Sequence, residues 1–314
     1  MILGCGTFGG VGGAKHLIGR ALDADAAFAT MDEAVALGIN VFDTAERYAG
    51  GESERWIGRW LRQRDGRSRA EIHVATKVAP PAMDGVEGRL FDRAYIEEKL
   101  SISLERLGLD NVTFYLSHAP DPSTPVERTL EGFAAAKETG RARHIGCCNV
   151  SADQLQATFD AADRLGLSGF EWVQNSFSLL APEADREVRA ICAERNLGYT
   201  PFSPLAGGVL TGKYRRNEPF PDGTRLALLP AGFDDGISEA VFDGLEHLAR
   251  EASMRGVTSA ALALAWICAR PDCTAPIVGP SRSTPHLAHV AEAIALSLSS
   301  TDVLDMTAWF SPTT

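Results

Sequence analysis

Eight short apolar runs, each separated from the next by a longer stretch, constrain this chain more than any other feature of its sequence. They are MILGC (1–5), NVFDT (40–44), IHVATK (72–77), VTFYLSH (112–118), RHIGCC (143–148), FEWVQN (170–175), GYTPF (198–202) and APIVG (275–279). Short and rich in Val, Ile, Phe and Tyr, they suit strands of a parallel sheet, buried on both faces. The segments 23–38, 91–108, 124–140, 151–166, 183–196, 238–256 and 258–271 carry the 3.6-residue helical period, and NVFDTAERYAGGESERWIG (40–58) runs from a strand into an amphipathic helix. Helix signals agree: Thr124 as cap with Pro125 in the first turn, Ser151 as cap, and stops at Gly38, Gly108 and Gly140. In 91–108, Ile96, Leu100, Ser103, Leu104 and Leu107 fall on one face. Eight alternations without reversal predict a single-domain α/β fold over 1–314, a (β/α)8 TIM barrel. The glycine-rich stretch GCGTFGG (4–10) is not taken as a dinucleotide fingerprint, and an open Rossmann sheet is the weaker expectation. A long irregular stretch, 203–236, follows the seventh strand, and 297–314 is read as a C-terminal tail. A loop that long in one domain is usually functional or disordered.

Composition narrows the function classes. The hydrophobic fraction is 45%, enough for a large core, and the formal charge of −11 argues against nucleic-acid or anionic-membrane binding. No apolar run reaches eighteen residues and no leader pattern opens the chain, so a cytoplasmic protein is expected. The cysteines at 5, 147, 148, 192, 268 and 273 show no C-x-x-C spacing, which fits reduced thiols. The histidines show neither H-x-H nor H-E-x-x-H, so no metal is expected.

The chemistry gathers at the strand ends, where a barrel carries its active site. The second, third and fourth strands close with Asp43, Lys77 and His118, and Tyr48 follows the first of these by a short turn. Period-two alternation puts each on the face of an apolar residue two earlier: Val41, Ala75 and Leu116. Taken singly, each has an ordinary explanation, as a cap, a solvated cation, a structural imidazole or packing. Together they are harder to dismiss, because a buried Lys77 without Asp43 would cost several kcal/mol. A phenol ordinarily titrates near pH ~10. An adjacent ammonium lowers that value, and the aspartate keeps the ammonium charged. A neutral histidine would donate to a substrate oxygen. This set can place a proton on a developing alkoxide, as carbonyl reduction requires.

FDTAERYAGGESERWIG, VATK, YLSHAPDPSTPVERTL, WVQNSFSLL, PFSPLAGGVLTGKY and APIVGPSRSTPHL, in that order over nearly the whole chain, resemble the aldo-keto reductase superfamily. HAPDPSTPVE and PLAGGVLTGKY most resemble its aflatoxin-aldehyde-reductase branch and related bacterial enzymes. The resemblance implies NADPH as cofactor and Asp43, Tyr48, Lys77 and His118 as a catalytic tetrad with Tyr48 the proton donor. It implies that Asn149 and Gln174 hold the nicotinamide amide and that Phe202 stacks on its ring. Ser203, Pro204, Leu205, Gly207, Leu210 and Lys213 would wrap the pyrophosphate, with Thr7, Asp43, Cys148 and Gly279 also near the cofactor. Ser281 and Arg282 would hold the 2′-phosphate, and His286 and His289 would lie by the adenine. Arg282 carries the preference for NADPH over NADH, since guanidinium pairs well with phosphate.

Two departures from the family pattern stand out. Ala49 replaces the usual glycine after the tyrosine. The match also begins at the first strand, without the hairpin that plugs the barrel floor in many members; either the floor is open or the true start lies upstream. The expected partner is a small carbonyl or alcohol substrate, bound by Phe8, Tyr48, His118 and Ala119 on a monomer or small homo-oligomer. Phe220, Phe233, Trp309 and Phe310 would extend an apolar wall, and the short tail would leave the pocket open. The alternative to an enzyme is an NADPH-binding regulatory subunit resembling potassium-channel β subunits. A metal-dependent barrel hydrolase lacks clustered ligands.

Overall fold

All eight apolar runs form strands in the computed structural model, which describes residues 1–229, 233, 236–280 and 287–310. They are β1 (Ile2–Gly4), β2 (Val41–Asp43), β3 (His73–Val78), β4 (Val112–Ser117), β5 (Ala142–Cys148), β6 (Trp172–Gln174), β7 (Gly198–Tyr199) and β8 (Ile277–Val278). Every neighbour pair is parallel, in the order β7-β6-β5-β4-β3-β2-β1-β8. The two ends of that series also meet. Thr274 N–H donates to Tyr199 O at 2.7 Å and Ile277 N–H to Pro201 O at 2.8 Å, which closes the sheet into a (β/α)8 barrel. Gly4, Gly6 and Gly9 do have G-x-G-x-x-G spacing, but a short 3-10 turn, Lys15–Leu17, follows instead of the helix a dinucleotide fingerprint opens, and the strand order is that of a ring.

The helices follow their local signals. Asp23, Asp92, Ser151 and Thr258 accept backbone N–H groups at the starts of Ala24–Ala36, Arg93–Leu107, Ala152–Leu165 and Ser259–Cys268. The face of Arg93–Leu107 read from the sequence is buried throughout. Thr124 is not the cap of the next helix. That helix is Val126–Glu138, preceded by Pro125 with no side-chain cap, and the Thr124 hydroxyl instead accepts from Phe91 N–H at 2.8 Å and donates to Asp121 Oδ2 at 2.6 Å. The stretch 203–236 is less irregular than expected, holding a 3-10 segment, Ala206–Thr211, and a one-turn helix, Arg225–Leu228. The C-terminal tail likewise contains a helix, Ser300–Ala308, closed by a capping box on Ser299.

Glycine decides two close approaches. At Gly58 a Cβ would sit 2.4 Å from Arg106 O, so the absent side chain is what lets helix Glu52–Arg62 lie against the end of Arg93–Leu107. Inside the barrel, register sets Gly146, Trp172 and Gly198 side by side on adjacent strands. A Cβ at Gly198 would fall 2.3 Å from the Trp172 ring and one at Gly146 2.3 Å from Trp172 O, so the two missing side chains make room for the tryptophan on either side. With Ala75, Leu116, Cys148 and Phe114 it forms the small apolar cluster beneath the site.

Candidate active site

Parallel register delivers three of the four expected residues to one mouth of the barrel. Asp43 pairs with Ala75 and Lys77 with Leu116, while His118 follows β4 and donates its N–H to Val78 O at 2.8 Å. Tyr48 arrives by an extension of β2. Thr44 N–H donates to Ala75 O and Glu46 N–H to Lys77 O, at 2.8 and 3.1 Å, before the chain turns on Tyr48 N–H···O Ala45. The turn then needs three left-handed residues in succession, Ala49 at φ 50°, Gly50 at 67° and Gly51 at 92°. An alanine there costs about 1–2 kcal/mol, which is why glycine suits that position. Ala49 is held by its N–H to Gly12 O at 3.1 Å, and a Cβ on Gly10 would come within 3.1 Å of its own Cβ.

Lys77 Nζ lies 2.6 Å from Asp43 Oδ2, 2.9 Å from Thr44 O and 3.4 Å from the Tyr48 hydroxyl. The lysine and aspartate side chains are only 4% and 5% exposed, so this is a buried ion pair. Gln174 Nε2 donates to the other oxygen, Asp43 Oδ1, at 2.9 Å, while Cys148 Sγ donates to Gln174 Oε1 at 3.6 Å. The His118 and Tyr48 rings meet edge to face, centroids 5.6 Å apart.

Burial acts to lower the Lys77 pKa, but Asp43, Tyr48 and Cys148 outweigh it and the net direction is up. The ammonium stays charged. Burial raises Tyr48 and Lys77 opposes it, leaving the phenol above its ordinary value. This corrects the expectation of a net-acidified phenol: Lys77 pulls in the expected direction, and burial wins in the protein alone. Burial, then Lys77 and Arg47, drive His118 down to about 3, so the imidazole is neutral near pH 7. Burial pushes the Cys148 thiol up to about 12.

Behind the site runs a second polar network that the sequence reading passed over. Glu54, with no exposure, accepts from Thr76 Oγ1 at 2.7 Å and pairs with Arg106 Nη1 at 2.9 Å. The same Nη1 donates to Glu46 O at 2.9 Å. The Glu46 carboxylate accepts Ala79 N–H at 2.9 Å and meets Lys99 at 3.1 Å. Thr76 and Glu46 flank the tetrad in sequence, so this network clamps β3 to the loop that carries Tyr48. The acidic residues of DTAERYAGGESE were the available signal; the partner Arg106, 52 residues beyond Glu54, was not.

Around the mouth the remaining expected residues divide. Asn149, left-handed at φ 58°, gives its Nδ2 to His118 O at 2.8 Å, and its Oδ1 has no hydrogen-bond partner among the described residues. Gln174 already has Asp43 and Cys148 on its amide, so its first role is to orient Asp43. Phe202 is half-buried beside Ser176. Beyond it Ser203, Ala206, Gly207 and Gly208 all take positive φ, forming with Pro204 and Leu205 a tight loop in which Ala206 N–H donates to Ser203 O and Gly208 N–H to Leu205 O, both at 2.8 Å. The exposed Lys213 has no acidic partner among the described residues, and its ammonium lies where a Gly208 Cβ would be. A Cβ at Gly279 would meet nothing within 4 Å. Among the described residues, Thr7 Oγ1, His118 Nδ1 and His289 Nε2 are buried without a hydrogen-bond partner, after β1, β4 and β8 respectively. Ser281, Arg282 and His286 lie outside the described residues.

Some expectations fail. Phe8 is fully buried in the main core and cannot line a substrate pocket, and the Leu210 side chain is equally buried. Trp309 stacks on His247, and a Cβ at Gly244 would lie 2.6 Å from the Phe310 ring, so both aromatics pack on helix Glu239–Met254. Phe220 packs edge-on against Tyr214, and Phe233 rests on the core. Ala119 stays half-buried at the mouth. One residue was missed. Arg225 has no carboxylate partner among the described residues; desolvation lowers its pKa, and Tyr48 and Tyr214 act on its charge.

Comparison with known proteins agrees with the barrel fold. The model of the aldo/keto reductase family matches residues 1–309. An uncharacterized oxidoreductase of Bacillus subtilis is 34% identical over 284 residues, covering 88% of this chain and 84% of that protein. A probable voltage-gated potassium channel subunit beta of Arabidopsis thaliana is 32% identical over 280 residues, covering 87% and 83%. The structure of a glycerol dehydrogenase from Gluconobacter oxydans superposes with a TM-score of 0.79 at 23% identity, over 100% of this chain and 92% of that one.

Proposed function

This chain belongs to the aldo/keto reductase family, and we propose that it reduces an aldehyde or ketone with NADPH and runs in reverse on the alcohol. The observation that carries the reading is the convergence of Lys77, Asp43, Tyr48 and His118 on one barrel mouth. Residues around that mouth suit a dinucleotide: a left-handed loop and, among the described residues, three buried polar atoms without hydrogen-bond partners and the cations Lys213 and Arg225 without carboxylates. Lys213 would meet the pyrophosphate and Arg282 the 2′-phosphate, while Asn149, Gln174 and Phe202 would hold the nicotinamide end. Bound NADPH would supply a hydride to the carbonyl carbon.

The chain's own residues would handle the proton. The neutral His118 donates a hydrogen bond to the carbonyl oxygen and fixes its direction. Tyr48 gives its phenolic proton to the alkoxide as charge builds there. Lys77, kept charged by Asp43, stabilises the phenolate left behind. A raised phenol pKa suits this sequence, because the donor stays protonated until the alkoxide, a far stronger base, forms beside it. Following NADPH absorbance across aldehydes, ketones and sugars tests the reading. Turnover of at least one carbonyl class that disappears in Tyr48→Phe is the expected result. The relative named as a channel subunit supports a second reading, an NADPH-binding partner with little turnover. Cofactor binding without reduction of any substrate would favour it.

A further inference from the structure

Away from the barrel mouth, helix Glu52–Arg62 carries a charge pattern at odds with the rest of this acidic chain. Arg55, Arg59 and Arg62, at spacings of four and three, project from one face and are exposed. Together with Arg106, Ile102 and Glu105 of the neighbouring helix they line a groove of about 380 Å3. Four guanidinium groups and one carboxylate line it, in a chain of net charge −11, and Glu52 and Glu54 beside the groove pair with two of the four.

Internal pairing accounts for only part of that positive charge. Arg55 is bound to Glu52 Oε1 at 2.8 Å. Arg106 is fixed from behind by the buried Glu54 and by Glu46 O, and a Cβ on Gly51 would strike its guanidinium at 2.4 Å. Arg59 lies over the Phe28 ring, and neither it nor Arg62 has a hydrogen-bond acceptor or acidic partner among the described residues. The helix C-terminus beside Arg62 is served by Arg69, which donates to Gly108 O.

We propose that this groove is a binding site for a compact phosphate-bearing metabolite with two or more negative charges, separate from the cofactor site. Guanidinium forks match phosphate oxygens in pairs, and Arg59 and Arg62, one turn apart and without acidic partners among the described residues, offer two such forks side by side. The lining contains no aromatic ring for a base to stack on, which favours a sugar phosphate or pyrophosphate over a nucleotide.

The probe is inorganic pyrophosphate, titrated calorimetrically into the full chain at constant ionic strength, with and without NADPH. Citrate serves as a carboxylate control. Wild type against Arg59→Ala/Arg62→Ala reads the groove whether or not the cofactor site is occupied, and an unchanged circular dichroism spectrum shows that the variant folds. The expected result is saturable pyrophosphate binding that weakens at least tenfold in the double variant and is only partly rescued by Arg59→Lys/Arg62→Lys, which keeps charge but loses the fork. Equal pyrophosphate affinity in wild type and double variant, or citrate binding as tightly as pyrophosphate, would overturn the proposal.

Discussion

Lys77 Nζ is 2.6 Å from Asp43 Oδ2 but 3.4 Å from the Tyr48 hydroxyl, so the ammonium belongs first to the carboxylate and only second to the phenol. Asp43 in turn is held from its other oxygen by Gln174. The order of these distances says that the ion pair is a structural fixture of the barrel mouth, on which the more loosely held Tyr48 can change protonation.

Lys77→Met should therefore damage stability as well as reduction. Removing one partner of a buried pair typically costs about 3–5 kcal/mol. Denaturant unfolding of Lys77→Met, Asp43→Asn and the double variant forms a cycle, and the double variant should be less destabilised than the sum of the singles. Strict additivity would mean that the pair contributes nothing as a pair.

His118 sets a pH dependence of stability whose sign is fixed. Its folded pKa is depressed to about 3, against about 6.5 when unfolded. Between those values the unfolded chain binds the extra proton, so this contribution is fully present above pH ~6.5 and is lost progressively as pH falls toward 3. Thermal unfolding followed from pH 7 to pH 4 should fall more steeply for wild type than for His118→Asn. Parallel curves would contradict the neutral, desolvated imidazole.

Ala49 sits at φ 50° between Tyr48 and two glycines. Ala49→Gly relieves left-handed strain of about 1–2 kcal/mol and adds roughly 0.5–1 kcal/mol of unfolded-chain entropy. The variant should be equally stable or up to about 1.5 kcal/mol more stable in a denaturant titration. A clear loss would mean that the Ala49 methyl group packs usefully against Gly9 and Gly10.

We propose that Arg282, in the GPSRSTPHL motif, sets cofactor choice. A charge-assisted bond to the 2′-phosphate is worth about 1.5–3 kcal/mol, or roughly 10–150-fold in affinity. Arg282→Ala should weaken NADPH binding by that factor and leave NADH nearly unchanged, as read by tryptophan-fluorescence titration of both. Equal losses would assign Arg282 another role, and a wild-type preference for NADH would reverse the cofactor assignment.

The barrel was legible because each strand is a contiguous apolar run and each strand end is a fixed place in a parallel sheet. Asp43, Lys77 and His118 could be brought together from that rule alone. What sequence could not supply were pairings between distant segments. Gln174 is 131 positions from the Asp43 it orients, and Arg106 reaches Glu54 from another helix. Phe8 misled because an aromatic beside a glycine-rich mouth reads as pocket wall, whereas the chain between Gly6 and Gly9 turns its ring into the core. The net direction of the Tyr48 shift was equally hidden: proximity to Lys77 is written in the motif, and burial is not.

The central claim is that Tyr48 is the proton donor of a carbonyl reduction. Its hydroxyl makes only the 3.4 Å contact with Lys77 among the described residues, so Tyr48→Phe should leave the fold and NADPH affinity intact. The direct measurement is the stopped-flow rate of NADPH oxidation with saturating aldehyde, wild type against Tyr48→Phe, alongside cofactor affinity for each. A 10²–10⁴-fold fall in rate at unchanged affinity is expected, roughly the worth of a positioned general acid. A rate within a few fold of wild type would contradict the account.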